Sequence, residues 1–564
     1  MEFFLESLKV PVATDLAIII LRILIPLLGI IIVYHIYSSL SRQRRKQKAL
    51  IVLVDEETGD EISVISWENS IGRSKSNDIV AYDDMKVSRD HCALFRRKDS
   101  WYINDTKSKF GTYVNGERIY KRTPVYIGDD ITIGNSTLTL QRAEDYVEVS
   151  GEENIKNKDD RASVSSFSLM ILITIFMTFT AVSACVSFEA TDYKPLVILG
   201  VFMGVSWLFY FISRVIIGRK YFEIESLAIF LTGIGVMLSV RQEIHQTYVQ
   251  IIAATIGMLV FSIIIELIKN PDRVEKWRVS IMVISIIFLC TSIVLGKITY
   301  GAANWISIGG ISIQPSEFVK IAFIFVGASA LDELQRNKNL FQFVVFSMLC
   351  VGALFLMSDF GTALIFFGTF LMISFMRSGN ISTVILAVVS AVLGGSFILR
   401  FKPYIANRFS AWGHVFEYAN DLGYQQARVL TYAASGGLFG VGLGNGYLKY
   451  IGASESDLVF GLLCEEYGLI LAITCAVCIA GLFFYARAIT TRSRSTFYSI
   501  TACCAAGLLI LQTSLNIFGA TDILPLTGVT LPFISVGGSS MVACWGLLAF
   551  IKAADERTYS KSTK

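Results

Sequence analysis

The chain has 564 residues, of which 53% are hydrophobic and 17% charged, and its formal net charge is +3. This apolar composition indicates a polytopic membrane protein and argues against a soluble one. A net charge this small, with its charges clustered, gives no reason to expect a nucleic-acid partner. The ten cysteines lie mostly in apolar runs and the four histidines form no cluster. A metal or redox centre and histidine-based catalysis therefore have little support.

The first part of the chain predicts one membrane helix followed by a small β-domain. The apolar run from about Leu16 to Tyr37 is long enough to span and lacks a signal-peptide cleavage site. The basic cluster that closes segment 1–48 places this side in the cytoplasm and the N-terminus outside. Residues 49–141 alternate in short runs between Gly, Asn and Asp turns, which predicts an antiparallel β-sandwich. Segment 142–164 is charged and poor in apolar residues, so it predicts a flexible linker.

Further apolar runs fill the rest of the chain and, with the first, predict about thirteen transmembrane helices. Two of them form an additional pair in 165–221, and the remainder belong to a membrane core with a cytoplasmic tail over 222–564. The last three runs are interpreted as spans at 458–487, 494–517 and 528–552. Alternate threading places every strongly basic short loop on the side of the β-domain, as the positive-inside rule requires. The same threading places the polar segments 297–316, 401–457 and 518–527 outside.

The β-domain carries three motifs in a fixed order: Gly72-Arg73-Ser74, Ser88-Arg89-Asp90-His91 and Val114-Asn115-Gly116. Their order and spacing resemble a forkhead-associated (FHA) domain, which binds phosphothreonine peptides through loops at one end of the sandwich. The resemblance implies that Arg73 and Ser88 hold the phosphate, with Arg89 and Lys109 beside it. Arginine and hydroxyl donors suit phosphate oxygens. It also implies a phosphothreonine-bearing partner from a Ser/Thr kinase pathway. The alternative is a sandwich that has kept its fold and lost its ligand.

Several polar motifs interrupt the apolar runs of the membrane core. They are the stretch from Asn304-Trp305 to Glu317 and Lys320, then Ser358-Asp359-Phe360-Gly361-Thr362-Ala363, Tyr404 and Arg408, the Gly-rich stretch after Gly423, and Pro525 to Ser540. Their succession resembles the SEDS family (FtsW, RodA, SpoVE) over about 222–552. The resemblance implies a core of about ten helices and a peptidoglycan glycosyltransferase that polymerises lipid II in division or elongation. It also implies a class B penicillin-binding protein transpeptidase as partner.

Asp457 stands where the Gly-rich stretch turns into an apolar helix, so its carboxylate meets both water and lipid head groups. An ordinary helix N-cap is the alternative interpretation. On the family's pattern Asp457 is the catalytic carboxylate, and Trp305, Glu317 and Lys320 match functionally important positions. The family's glutamate is missing at Ala453. Either Glu455 replaces it or that role is absent.

Residue types on the outer side also suit the joining of lipid-linked sugars, independently of the family. Joining lipid-linked sugars requires a hydroxyl to attack an anomeric carbon while a lipid pyrophosphate leaves. Such a site needs a general base, cations for the leaving group and a groove open to lipid. Asp457 is the candidate base, and Lys320, Arg408 and Lys449 are cations on the outer side. The sequence leaves open whether a divalent cation, Mg²⁺ or Mn²⁺, bridges Asp457 or Glu455 and the pyrophosphate.

Two other classes of function compete with the enzyme. A transporter that flips the same lipid would use intramembrane carboxylates such as Asp359, Glu465 and Glu466 to line a path. A scaffold would recruit phosphorylated division proteins through the FHA domain and have an inactive membrane part. The outer location of the motifs and the absence of inverted hydropathy repeats favour the enzyme over the transporter. The aspartate at position 457 argues against the scaffold.

Overall fold

The structure is a computed structural model in which the placement of most of the chain is defined. It describes residues 12–42, 49–75, 77–81, 84–97, 100–143, 165–187, 193–219, 221–240, 244–269, 271–299, 302–308, 311–332, 337–378, 381–382, 384–389, 392, 411–490, 493 and 495–555. From residue 144 onward the predicted linker lies outside these residues, and so does most of 382–400, one of the apolar runs predicted to span the membrane. The same is true of Tyr404 and Arg408.

Three helices precede the membrane core. They are α1 (Val12–Arg42), α2 (Ser166–Ser187) and α3 (Lys194–Phe211), the last continued by a π-helical turn over Ile212–Ile216. Each is apolar along nearly its whole length, which suits a lipid environment. Helix α1 packs against α2 and against a later core helix, and α2 packs against α3.

The segment between α1 and α2 folds as a β-sandwich of eleven strands. These are β1 (Ile51–Asp55), β2 (Glu61–Val64), β3 (Glu68–Gly72), β4 (Ile79–Val80), β5 (Cys92–Arg97), β6 (Ser100–Asp105), β7 (Thr112–Val114), β8 (Glu117–Arg118), β9 (Thr123–Val125), β10 (Asp130–Ile133) and β11 (Ser136–Arg142). One sheet has the order β2-β1-β11-β10-β7-β8 and the other β4-β3-β5-β6-β9. Alternate residues such as Cys92 and Leu94 point into a core separate from that of the membrane helices. The predicted sandwich is confirmed.

The membrane core is built from helices joined by polar loops. They are α4 (Glu223–Ser239), α5 (Ile244–Ile268), α6 (Pro271–Leu295), α7 (Pro315–Asp332), α8 (Asn337–Leu356), α9 (Phe360–Ser378), the short α10 (Tyr424–Gly436), α11 (Val459–Tyr467), α12 (Leu469–Thr490), α13 (Thr496–Ala520) and α14 (Gly538–Ala554). Across the described part of the chain, seven helices are long and apolar enough to cross a membrane, and three shorter apolar helices accompany them. The polytopic helical fold predicted from composition is confirmed.

The structure differs from the sequence prediction in three places. The predicted span 458–487 is two helices that meet at Gly468, where φ is 88° and a Cβ would clash with the backbone of Leu438 and Gly440. The predicted span 528–552 begins only at Gly538, and the apolar segment before it is a loop. The polar segment 297–316 contains a small sheet of β12 (Lys297–Thr299), β13 (Ala302–Ile308) and β14 (Ile311–Ile313).

Helix α13 is central to the architecture because it packs against α7, α9, α12 and α14. Its first turn contacts the β-sandwich, where the Thr496 amide donates to Glu68. Its last turns contact the loop that carries Asp457, where the Asn516 side chain donates to the Asp457 carbonyl. Residues 496 and 516 are separated by about 30 Å at the helical rise of about 1.5 Å per residue. The sandwich and Asp457 therefore lie at opposite ends of one helix.

Candidate active site

Asp457 lies on a tight turn just before α11. Its amide donates to the Ala453 carbonyl at 3.0 Å, and Ala453 has a φ of 63°. The N-cap residue of α11 is Leu458, and that cap has no side-chain hydrogen bond, so the structure does not support the N-cap interpretation of Asp457. Asp457 and Glu455 are both half-buried. The turn thus places two carboxylates on a partly accessible surface.

The loop from Thr527 to Gly537, called here the 527–537 loop, holds this turn in place. The Ser535 hydroxyl donates to the Ser456 carbonyl at 2.6 Å, and the Val536 amide donates to the Glu455 carbonyl at 2.8 Å. Gly528 lies against the carboxylate: a Cβ there would be 3.4 Å from Asp457 Oδ2, and its φ is 70°. A Cβ at position 528 would make ordinary van der Waals contact with Asp457, but the positive φ would strain the backbone of any residue other than glycine.

Lys320 and Glu317 form a buried ion pair on α7. Lys320 Nζ is 2.7 Å from Glu317 Oε2, and the two side chains are 2% and 7% exposed. The same ammonium donates to Gln512 Oε1 at 3.1 Å. Gln512 in turn donates to the carbonyl and hydroxyl of Thr530, at 3.0 and 2.9 Å. The cation is thus joined, through one amide side chain, to the 527–537 loop.

Gln512 and Asn516 bring the ion pair and the Asp457 turn together. They are four residues apart on α13, so their side chains lie on one face about 6 Å apart. Asn516 donates to the Asp457 carbonyl at 2.9 Å and to the Val529 carbonyl at 2.7 Å. The sequence prediction missed both amides. The sequence feature that could have identified them is a pair of carboxamide side chains, four residues apart, inside an otherwise apolar run.

Asp359 is a structural carboxylate. It accepts hydrogen bonds from Asn304 at 2.6 Å, from Gln314 at 3.1 Å and from the Thr362 amide at 3.2 Å. These bonds pin the small sheet that carries Trp305 to the first turn of α9. The Asn304 side-chain amide thus supplies one of the donors to Asp359. Trp305 itself is half-buried on β13.

Glu465 is structural as well. It is 1% exposed and accepts from the amides of Tyr447 and Leu448, at 2.6 and 2.9 Å. The described contacts of Lys449 lie in its own loop: its ammonium donates to the Gly444 carbonyl at 2.6 Å and lies 5.0 Å from the Tyr450 ring. Arg408 falls outside the described residues. Within those residues, no group of three His, Cys, Asp or Glu side chains could hold a metal ion.

The predicted phosphate-binding residues gather at one end of the sandwich. The Arg73 amide donates to the Ser88 carbonyl, and the Lys109 amide donates to the Ser88 hydroxyl, each at 3.0 Å. Arg89 and Lys109 are exposed, and the Arg73 guanidinium donates to the Met85 sulfur. Buried His91 accepts from the Ser88 amide through Nδ1 and therefore donates to the Gly111 carbonyl through Nε2. His91 thus joins the two loops that carry Ser88 and Gly111.

Fold and site together define a polytopic helical membrane protein with polar loops gathered at one end of α13 and a β-sandwich at the other. A family model described as cell cycle protein, for the FtsW, RodA and SpoVE proteins, matches residues 229–560. An FHA-domain model matches residues 69–134. The chain belongs to the FtsW/RodA/SpoVE family and carries an FHA domain, so both predicted resemblances are confirmed.

Two relatives and one solved structure illustrate the likeness. The chain is 30% identical to the probable peptidoglycan glycosyltransferase FtsW of Bacillus subtilis (strain 168), over 49% of this chain and 73% of that protein. It is 28% identical to the peptidoglycan glycosyltransferase RodA of Mycobacterium leprae (strain TN), over 57% of this chain and 74% of that protein. A solved chain from work on the structural coordination of polymerization and crosslinking by a peptidoglycan synthase complex is 23% identical. The match covers 60% of this chain and 98% of the solved chain. Its TM-score of 0.51 shows a shared fold.

Proposed function

We propose that this protein is a peptidoglycan glycosyltransferase that polymerises lipid II into glycan strands at the outer face of the cell membrane, in division or elongation. The observation that carries the proposal is the Asp457 turn, which holds a half-buried carboxylate next to a loop tied to Lys320. Its relatives named FtsW and RodA bear the name of this activity.

In the proposed reaction Asp457 removes the proton from the attacking sugar hydroxyl as the bond between the anomeric carbon and the lipid pyrophosphate breaks. Lys320 acts through Gln512, whose amide orients the 527–537 loop against the Asp457 turn. Arg408 and Lys449 are the proposed cations for the departing pyrophosphate. Trp305 and Glu455, both half-buried, are proposed substrate contacts.

The two ends of α13 support the proposed sidedness. About 30 Å separates the residue that contacts the FHA domain from the residue that contacts Asp457, and this matches the hydrocarbon thickness of a bilayer. The first turn of α13 follows the basic segment 486–495, which the positive-inside rule assigns to the cytoplasm. This supports a cytoplasmic FHA domain and an outer active site.

The hydrogen bonds of the intramembrane carboxylates argue against a lipid transporter. Asp359 and Glu465 are buried and occupied by donors from the protein itself. A carboxylate that lines a path would instead face a cavity or a substrate.

The reconstituted protein, with a class B penicillin-binding protein, should convert lipid II into glycan strands resolved by gel electrophoresis. Transfer of fluorescent lipid II between leaflets without any polymer would contradict the proposal and support the transporter.

The FHA domain is proposed to bind a phosphothreonine segment of a partner protein through Arg73, Ser88, Arg89 and Lys109. Arg73→Ala should weaken binding of a phosphothreonine peptide by about 1.5–3 kcal/mol, the contribution of a hydrogen bond to a charged group. Polymerisation by the purified protein should stay nearly unchanged, because the domain lies at the opposite end of α13 from Asp457. Calorimetry measures the affinity. Arg142→Ala, which removes an exposed arginine from the other sheet, is the matched control. Affinity indifferent to Arg73 would mean that the sandwich is a vestigial or non-phosphate module.

A further inference from the structure

The FHA domain touches the membrane core through an aromatic contact. Trp67 lies just before β3, and its ring centroid is 6.1 Å from that of Tyr498 on α13, at an interplanar angle of 70°. Trp67 is half-buried against the apolar core of the membrane helices, whereas the sandwich has a separate core of its own. Tyr498 is fixed in turn, because its hydroxyl donates to the Ile268 carbonyl at 2.6 Å. An edge-to-face pair of this kind contributes more than its buried area alone.

Glu68, the next residue, caps α13. The first amides of a helix have no partner within the helix, and the N-cap residue Ser495 makes no side-chain capping bond of its own. Glu68 Oε2 accepts from the Thr496 amide at 3.0 Å, and Glu68 Oε1 accepts from the Ser495 hydroxyl at 3.2 Å. A carboxylate is electrostatically favourable at a helix N-terminus. The cap is supplied by a residue 428 positions earlier in the sequence.

The capping carboxylate is held in orientation from within the sandwich. Arg97 on β5 lies 2.9 Å from Glu68 Oε1, and both side chains are 12% exposed. Residues 68 and 95 are cross-strand partners, so residue 97 lies two positions further along the same face of the sheet. The interface therefore combines an aromatic contact, a helix cap and a supporting ion pair.

The phosphate-binding loops lie at the other end of the same strand. Strand β3 begins at Glu68 and ends at Gly72, and Arg73 follows directly. Five residues of strand span about 15 Å. A peptide bound by Arg73 and Ser88 would therefore leave Trp67 and Glu68 in contact with α13.

We propose that the FHA domain works while docked on the first turn of α13, and that the phosphothreonine partner binds to the docked domain. This differs from a domain that moves freely on its linker. The domain would present its partner at a fixed place beside the membrane core. The docking of the domain on α13 rests on the contacts described above. The binding of a partner to the docked domain rests on the proposed phosphothreonine recognition.

Hydrogen–deuterium exchange of the full chain in detergent micelles tests the docking. In Glu68→Ala, the amides of residues 496–499 should exchange about fivefold faster, the factor expected from losing a helix cap of roughly 1 kcal/mol. Trp67→Ala should also speed exchange there, because it removes the aromatic contact with Tyr498. Exchange at 512–516 should not change. Glu117→Ala and Tyr120→Ala are matched controls, since both side chains are exposed on the same domain. Exchange at 496–499 that is as fast in the wild type as in Glu68→Ala would overturn the proposal.

A second arm adds a saturating phosphothreonine peptide to the wild type and to Glu68→Ala. The peptide should bind both with the same affinity to within about twofold, and in the wild type it should leave protection at 496–499 intact. Peptide-induced loss of that protection would overturn the proposal and make the contact a switch released by the partner. If the peptide binds neither protein while protection in the wild type persists, phosphothreonine recognition fails and docking stands.

Discussion

Asp457 and Glu465 are eight residues apart, and in the sequence both are carboxylates next to or inside an apolar helix. Their surroundings differ. Glu465 is 1% exposed and accepts two backbone amides of the loop before it, whereas Asp457 is half-buried on a turn held from outside by the 527–537 loop. A carboxylate near a membrane is thus not functional by position alone. Access to solvent separates the candidate base Asp457 from the structural carboxylate Glu465.

The largest effect on stability should come from the buried ion pair. Lys320→Met leaves Glu317 as an uncompensated buried charge, which should cost about 3–5 kcal/mol of unfolding free energy. Thermal unfolding in detergent would measure the loss. The double variant Lys320→Met/Glu317→Gln should recover much of it without recovering polymerisation, since the link to Gln512 is gone.

A matched control for this pair lies on α5. Lys269 and Glu266 have the same i, i+3 spacing at 3.5 Å but are 55% and 65% exposed. Lys269→Met should change stability by less than about 1 kcal/mol, because water screens an exposed pair. Equal losses of stability at positions 320 and 269 would show that burial does not determine how much the Lys320–Glu317 pair contributes to stability.

Glu465 should behave as a structural residue. Glu465→Ala leaves the amides of Tyr447 and Leu448 without their acceptor and should lower the unfolding free energy by about 1.5–3 kcal/mol. Glu465→Gln keeps one acceptor oxygen and should lose less. Polymerisation per folded molecule should stay close to wild type in the Gln variant, with exposed Glu417→Gln as control. A Glu465→Gln protein that folds but does not polymerise lipid II would indicate a catalytic role for Glu465. That result would contradict its contrast with Asp457.

A smaller effect is expected at Asn304. Asn304→Ala removes one of three donors to Asp359 and should cost about 1–2 kcal/mol of stability, with the sheet over residues 297–313 loosened. Hydrogen exchange of that sheet measures the change. Asn304→Arg should replace the hydrogen bond with an ion pair to Asp359 and retain most of the protection. Unchanged exchange in Asn304→Ala would show that Gln314 and Thr362 hold Asp359 without it.

Much of the fold was predictable because apolar length, basic loops and alternating strands are local signals. The sandwich, the position of most helices and Asp457 at the start of α11 all came from such signals. The 527–537 loop was misread as part of a span because its composition is apolar, although Gly528, Pro532 and Gly537 interrupt it. The hairpin of β13 and β14 was missed although Gly309-Gly310 separates two Ile-Ser-Ile runs.

The parts that sequence could not supply are contacts between distant segments. Nothing near Glu68 indicates that it caps a helix that begins at residue 496, because the two belong to different domains. Gln512 and Asn516 could be noticed as polar residues in an apolar run, but their partners on α7 and on the Asp457 turn depend on packing. The outer cations stay predictions, since Arg408 lies outside the described residues and Lys449 contacts its own loop.

The role of Asp457 as general base is tested most directly by the rate of lipid II polymerisation by Asp457→Asn, measured per folded molecule beside the wild type. Asparagine keeps the shape of the side chain and removes the base, so the rate should fall by about 10²–10⁴ while thermal unfolding is unchanged. Asp421→Asn, an exposed aspartate before α10 in the same predicted outer segment, should polymerise like the wild type. Polymerisation by Asp457→Asn at a rate near that of the wild type would contradict the account.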